Sequence, residues 1–453
     1  MLSRPGVCWR RARAERAAPL IDGAAYFAAL AEALEDARHS VFVLGWDLNA
    51  DLVLDPDRGG ETLVALLGRL TARRPELVVR LLIWDWILFY SLDRQLLPQW
   101  HFENGRQVRF QLDGHHPAGG CLHEKLVVID GSVAFVGGID LTSGRWDTPA
   151  HPVREPRRVV TPKERREPFH DLMLMVQGPV AGDLEELARE RWRVATAEPV
   201  PPTAPPRSSD SPWPASVAPW IEQVEVAIAR TRPESADWSP AREIERLYVE
   251  AVTAAEHTIY IENQYLTADL IAERIAARMA ECSRLETVIV TPARCEGLLE
   301  TAVMDVGRAR FVRRLRRTAR KRVRVAYPET VDRSGRPVPI NVHSKLLIID
   351  DRLLCVGSAN LAHRSFGLDT EICIAIEAGP GDATVRSFIQ RLRDTLLAEH
   401  LETSPEAVAS AVAAASSPCS TSGMAGSGPC ICGCRPGCAC WRRRRGWPTS
   451  TSR

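Results

Sequence analysis

The chain has 453 residues, 45% of them apolar and 25% charged, with 58 lysines and arginines against 57 aspartates and glutamates. That is the composition of a soluble globular protein, long enough for two ordinary domains or one large duplicated unit. The near balance of charge gives no global positive field of the kind that marks a nucleic-acid binder, so partners have to be argued from local sites.

In chain order, the N-terminus MLSRPGVCWRRARAE carries positive charge with no apolar stretch behind it, so it does not read as a secretory signal and a cytoplasmic protein is expected. An amphipathic helix is predicted over Ala24 to Ala37, followed by the β-rich run His39-Ser-Val-Phe-Val-Leu-Gly-Trp46. A buried-type strand comes next at Val78 to Trp84, with an alternating, half-buried strand at Arg106 to Gln111. The segment His123-Glu-Lys-Leu-Val-Val-Ile-Asp130 and the pair Gly137, Gly138 complete the series. The longest apolar runs, such as Leu77 to Ile83 and Leu346 to Ile349, are far short of the ~20 residues that span a bilayer.

The second half replays this series at an offset of about 220 residues. Its members are a helix at Ile244 to Ala255, the run His257-Thr-Ile-Tyr-Ile-Glu-Asn-Gln264, strands at Glu286 to Thr291 and Lys321 to Ala326, and His343-Ser-Lys-Leu-Leu-Ile-Ile-Asp350 followed by Gly357 and Ser358. Strands alternating with helices, and short apolar runs suited to burial on both faces, predict a duplicated α/β fold: two α/β sandwich halves, each with a largely covered mixed sheet. The proline-rich stretch from Glu198 supplies the boundary. The expected division is residues 1–197, a linker at 198–215, residues 216–405, and a tail at 406–453. Six of the twelve cysteines (Cys419, Cys430, Cys432, Cys434, Cys438, Cys440) fall in that tail, which leaves the body cysteine-poor, as suits a reducing compartment. The tail lacks the C-x2-C pairs of a zinc module and is expected to be a disordered, low-complexity extension.

The chemistry lies in the repeated H-x-K-x4-D. Residues i and i+2 of an extended strand share a face, so His123 stands beside Lys125 and His343 beside Lys345. An ammonium beside an imidazole suits an anionic ester: lysine neutralises phosphate oxygens, and histidine attacks phosphorus or protonates a leaving oxygen. One such copy is unremarkable; two with identical spacing and matching downstream glycines are a strong signal. Two near-identical motifs do not by themselves say which histidine attacks. A reactive histidine also needs an acceptor on its other ring nitrogen. The repeat offers Asp171 and, in register with it, Glu371, with an arginine- and proline-rich insertion around Thr148 to Glu167 in the first half that reads as a surface loop bordering the pocket mouth. Of the further histidines His115, His116, His151 and His170, most read as incidental. The segment Trp84 to Tyr90 reads as a core helix on the sheet.

The paired motifs resemble the signature of the phospholipase D superfamily, over about residues 5 to 405. Gly137-Gly-Ile-Asp-Leu141, Gly144-Arg-Trp-Asp147, Pro168-Phe-His-Asp171 and Ile261-Glu-Asn-Gln-Tyr265 are similar to the phospholipase D/transphosphatidylase branch, especially its bacterial members. The resemblance implies two halves packed with both motifs facing one pocket, and catalysis through a covalent phosphohistidine with no cofactor and no metal. It makes His123 the nucleophile and His343 the acid that protonates the departing alcohol. Lys125 and Lys345 would hold phosphoryl oxygens, with Asn360 adding a neutral donor. Asp140 stands where the first half would have its asparagine, and the motif residues Asp130 and Asp350 serve either the chemistry or a turn. The implied partners are a phospholipid and water or a primary alcohol, met at a membrane surface by a peripheral monomer; no nucleic acid is expected. Rival readings are a cardiolipin-synthase-like phosphatidyltransferase, a nuclease of the same superfamily, and an inactive membrane-binding scaffold, which should have lost motif residues that are all present here.

Overall fold

The computed structural model describes residues 1–85, 102, 107–161, 164–165, 167–204, 211–235, 238–294 and 298–416. In the first half run β1 (Arg10–Ile21), α1 (Asp22–Asp36), β2 (Ser40–Gly45), α2 (Leu63–Arg73), β3 (Val78–Trp84), β4 (Val108–Asp113), β5 (Leu126–Ile129), β6 (Val133–Gly137), β7 (Leu172–Gln177) and α3 (Pro179–Thr196). The second half has β8 (Ile221–Arg232), α4 (Glu243–Thr253), β9 (Thr258–Asn263), α5 (Asp269–Glu281), β10 (Glu286–Val290), α6 (Leu298–Ala319), β11 (Val323–Ala326), β12 (Lys345–Ile349), β13 (Leu353–Gly357), β14 (Glu371–Glu377) and α7 (Ala383–His400), followed by α8 (Pro405–Ser416).

All these strands join one sheet in the order β11-β10-β9-β12-β13-β14-β8-β1-β7-β6-β5-β2-β3-β4. The order is its own mirror image, each strand of one half occupying the place of its counterpart in the other. Pairing is parallel along β2-β3-β4 and β9-β10-β11 and antiparallel elsewhere, which makes the sheet mixed as the sequence predicts. The halves do not keep separate sheets, however. The long strands β1 and β8, which the hydrophobic pattern did not reveal, pair antiparallel with Ala14 opposite Val224 and Ala17 opposite Ile221 and fuse the halves. The β1 segment, Arg-Arg-Ala-Arg-Ala-Glu-Arg-Ala-Ala, holds residues of low strand propensity; Ala14, Ala17 and Ala18 are buried because two strands and a helix close over them.

Both faces of the sheet are covered, which is why the motif strands read as continuous apolar runs. Leu126 and Val128 of β5, with Leu346 and Ile348 of β12, point into one core shared by the halves and roofed by α3 and α7. Val127 and Ile129 point the other way onto α1 and α2, while Leu347 and Ile349 pack on α4, α5 and α6. Each of these side chains contributes about 1.5–3 kcal/mol by burial, so truncating any one to alanine should cost about 2–5 kcal/mol.

Three expectations are corrected. Helix α8 falls within the stretch expected to be disordered tail, and residues 417–453 lie outside the described residues. The insertion is not simply a surface loop: His151 and Arg158 are buried, the latter because its guanidinium reaches Asp147 Oδ2 at 2.5 Å and the Pro152 carbonyl at 2.7 Å. His151 and His170 are not incidental either, since both stand in a buried ionic cluster with Asp22, Glu262 and Glu399. Most of the Trp84 to Tyr90 segment lies outside the described residues.

Candidate active site

Each motif histidine is fixed by backbone pairing to the other half. The His123 N–H donates to the Thr370 carbonyl at 3.0 Å, and the Thr370 N–H donates to the Cys121 carbonyl at 3.0 Å. On the opposite side the His343 N–H donates to the His170 carbonyl at 2.8 Å, where the two-residue strand Asn341–Val342 lies parallel to Phe169–His170. The residue that follows Thr370 is Glu371, and the one that follows His170 is Asp171. The side-chain pairs therefore cross between halves: His123 Nδ1 meets Glu371 Oε2 at 2.9 Å, and His343 Nδ1 meets Asp171 Oδ2 at 2.7 Å. With both Nδ1 atoms engaged, both Nε2 atoms are left for chemistry.

Small residues permit this approach. A Cβ on Gly137 would stand 2.2 Å from the Leu172 carbonyl oxygen, and one on Gly138 would stand 2.3 Å from Asp171 Oδ1. At the position matching Gly138, Ser358 instead donates its hydroxyl to Glu371 Oε2 at 2.5 Å. The repeated Gly-Gly and Gly-Ser pairs thus seat the two carboxylates, each in its own way.

The site is buried and rich in cations, and both facts shape its titration. Burial first, then Lys125 and Lys345, hold His123 well below its ordinary value; burial, Lys345 and Arg145 do the same for His343. Burial pushes the Glu371 carboxyl up to about 8, with Asp369 adding to it, whereas Asp171 is raised only to about 6 because Lys345 and the Leu172 N–H oppose its burial. The two dyads consequently differ: Glu371 holds a proton more tightly than Asp171 does.

Lys125 Nζ donates to the His123 carbonyl at 3.1 Å and stands 3.3 Å from Asp140 Oδ2. Asp140 also accepts from the Trp46 N–H at 3.0 Å; burial works upward on its carboxyl, but Lys125, Arg145 and His123 outweigh it and hold it low. Lys345 donates to the His343 carbonyl at 2.5 Å, and burial, with Lys125 and Arg145 nearby, brings it down to about 7 against the pull of Asp171. Asn360 is buried, and its Oδ1 has no hydrogen-bond partner among the described residues.

The motif aspartates stand apart from this cluster, at the far ends of β5 and β12. Asp130 accepts from the N–H groups of Arg38, His39 and Ser40 at 2.7–2.8 Å, and Asp350 from those of Glu256, His257 and Thr258 at 2.7 Å. They tie the motif strand to the start of its neighbour. Sequence reasoning missed Arg145. Its guanidinium is buried over the Phe169 ring at 4.6 Å, beside the His343 dyad, and its Nε and Nη1 have no hydrogen-bond partner among the described residues. The signal was available, since Arg145 sits in the quoted Gly-Arg-Trp-Asp segment.

Comparison with known proteins agrees with this geometry. Residues 121–270 match a family model described as phospholipase D, and residues 248–394 one described as cardiolipin synthase, PLD-like domain. Phospholipase D alpha 1 of Cynara cardunculus is 25% identical over 512 residues, covering 82% of this chain and 63% of that protein. Phospholipase D alpha 3 of Arabidopsis thaliana is 26% identical over 481 residues, covering 76% and 58%. The chain thus spans less than two thirds of these relatives' lengths. Among solved structures, the phosphatidylserine synthase of Haemophilus influenzae superposes with a TM-score of 0.59 at 13% identity, covering 85% of this chain and 87% of that one, which speaks for the fold. With two domain models that together match residues 121–394, and a motif histidine from each half of a mirrored sheet in one cluster, the chain belongs to the phospholipase D superfamily.

Proposed function

We propose that the chain is a phospholipase D-type phosphodiesterase that hydrolyses or transfers the phosphatidyl group of a phospholipid through a covalent phosphohistidine. The observation that carries this reading is the crossed pair of histidine–carboxylate dyads, each beside its own motif lysine. In the first step His123 Nε2 attacks phosphorus, the bond to the headgroup oxygen breaks, and His343 gives that oxygen its proton. In the second step His343 takes a proton from water or an alcohol, whose oxygen displaces His123 from phosphorus. The unequal dyads support this division. An ionised Asp171 stabilises the imidazolium that an acid must carry, and an uncharged Glu371 leaves His123 neutral, as a nucleophile must be. Lys125, Lys345 and Arg145 hold the non-bridging oxygens.

The match of the second half to the cardiolipin synthase description favours transfer as the second reading, with an alcohol in place of water. Exposed arginines on and beyond α6 (Arg313, Arg316, Arg317, Arg320) offer a surface for anionic headgroups, and no helix among the described residues is long and apolar enough to cross a membrane. One experiment separates the readings. Purified protein is incubated with a panel of phospholipids and with single-stranded DNA, with and without a primary alcohol, then acid-quenched and mapped for phosphohistidine. Phosphatidic acid or a phosphatidyl alcohol, with label on His123, is expected. Label on His343 reverses the two roles; DNA cleavage without lipid turnover refutes the lipid reading.

A further inference from the structure

Behind the His343 dyad four side chains from distant parts of the chain turn their donor atoms to one point. Asp22 opens α1, His151 lies in the insertion, His170 precedes Asp171, and Glu399 comes from the end of α7 in the other half. Their ligand atoms all lie within 4.8 Å of one another. His170 Nδ1 is 2.6 Å from Glu399 Oε1 and 3.2 Å from Asp22 Oδ1; His151 Nε2 is 3.0 Å from Glu399 Oε1 and 3.9 Å from Asp22 Oδ2. Ligands at about 2.0–2.2 Å from a tetrahedral zinc stand about 3.3 Å apart, and these separations scatter around that value.

The other nitrogen of each imidazole meets a carboxylate: His151 Nδ1 is 3.3 Å from Asp147 Oδ2, and His170 Nε2 is 3.0 Å from Glu262 Oε2. Both carboxylates are themselves held, Asp147 by Arg158 and the Phe169 N–H, and Glu262 by Ser344, Tyr260 and His400. A ring N–H directed outward to a carboxylate leaves the inward nitrogen as a lone pair, which is how imidazole ligands of metals are oriented. Inside the cluster, His170 Nδ1 and Asp22 Oδ2 are fully buried and make no hydrogen bond among the described residues, despite their close neighbours. From this geometry we infer that Asp22, His151, His170 and Glu399 form a binding site for a zinc-class divalent ion (zinc, or manganese, iron or cobalt in its place).

Two carboxylates and two neutral imidazoles around a divalent ion sum to zero charge, which suits a largely buried site. The ion has no open position and takes no part in the reaction. It ties α7 to the first half immediately beneath His170 and Asp171. The absence of ligand-spacing motifs in the sequence does not bear on it, because the ligands are dispersed over nearly the whole chain. The rival occupant of the gap is protons. With no ion, the carboxylates lift His151 to about 10 and His170 well above its usual value, in both histidines against the pull of burial.

Metal analysis of the full chain, purified without chelators from zinc-supplemented cells, should find about one zinc-class ion per chain, and heating should show a lower Tm after the ion is stripped. Chain made in cobalt-supplemented medium should show the visible bands of tetrahedral cobalt without the near-ultraviolet thiolate band that the cysteine tail would give. Glu399→Gln and Asp22→Asn should each lose the ion. Substoichiometric metal in the wild-type chain under both conditions overturns the inference in favour of the protonated cluster, whether or not the variants fold. Stoichiometric calcium or magnesium overturns the assignment of ion class. Metal retained by both variants places it elsewhere and overturns the site.

Discussion

Asp171→Asn removes a charge from the His343 dyad while keeping its shape. The carboxylate lies 2.7 Å from His343 Nδ1 and accepts from the Leu172 N–H at 2.7 Å, in full burial where no water can replace it. An asparagine keeps its carbonyl on the fixed Leu172 N–H and turns its NH2 toward His343, donor against donor. Loss of a charged hydrogen bond costs about 1.5–3 kcal/mol, roughly 10- to 150-fold in rate. Holding the imidazole in the wrong tautomer extends the loss toward ~10⁴. The expected outcome is a fall in kcat of about 10²–10⁴ with KM changed by less than about threefold, because both motif lysines, the proposed phosphate ligands, remain. Initial rates on a soluble short-chain phospholipid measure this, with thermal unfolding to establish that the variant is folded. A folded variant with kcat within about threefold of the parent would refute orientation of His343 from the other half.

Other outcomes follow from the same geometry. Lys345, brought down to about 7 in the folded chain, binds fewer protons than its unfolded counterpart from about pH 7 to 10; its contribution to stability therefore rises with pH over that window while its grip on an anionic substrate is lost. The kcat/KM for a soluble phosphodiester should accordingly fall as pH rises through about 7, and Lys345→Arg should remove that limb at reduced activity; a flat profile to about pH 9 counts against it. Asp130→Ala and Asp350→Ala each leave three N–H groups without their acceptor and should cost about 2–4 kcal/mol in chemical denaturation, with kcat of the folded fraction within about threefold of the parent. Arg145→Met should lower kcat/KM by about 10- to 100-fold without loss of thermal stability, since it removes a buried guanidinium with unpaired nitrogens; an unchanged kcat/KM would remove Arg145 from the phosphate site.

The sequence by itself determined the duplication, the mixed α/β class and the four motif side chains, because those properties are local. Burial on both faces imposes apolar runs such as Leu126 to Ile129, and a two-residue period puts His343 and Lys345 on one face wherever the strand lies. It also singled out Asp171 and Glu371 as carboxylates, through the register of the repeat. Only the tertiary structure decided that each serves the histidine of the opposite half, since that depends on Thr370 pairing across to Cys121 and His123, and Asn341 and His343 across to Phe169 and His170. The strand β1 escaped sequence reading for a related reason: Ala14, Ala17 and Ala18 are buried by what surrounds them, and nothing in their own hydrophobicity announces it. Arg145, Glu262 and His170 stood inside quoted motifs without a role, and His151 and Glu399 stood in none. A buried charge is recognised by the partners that make its burial tolerable, and here those partners lie in distant segments that only folding brings together.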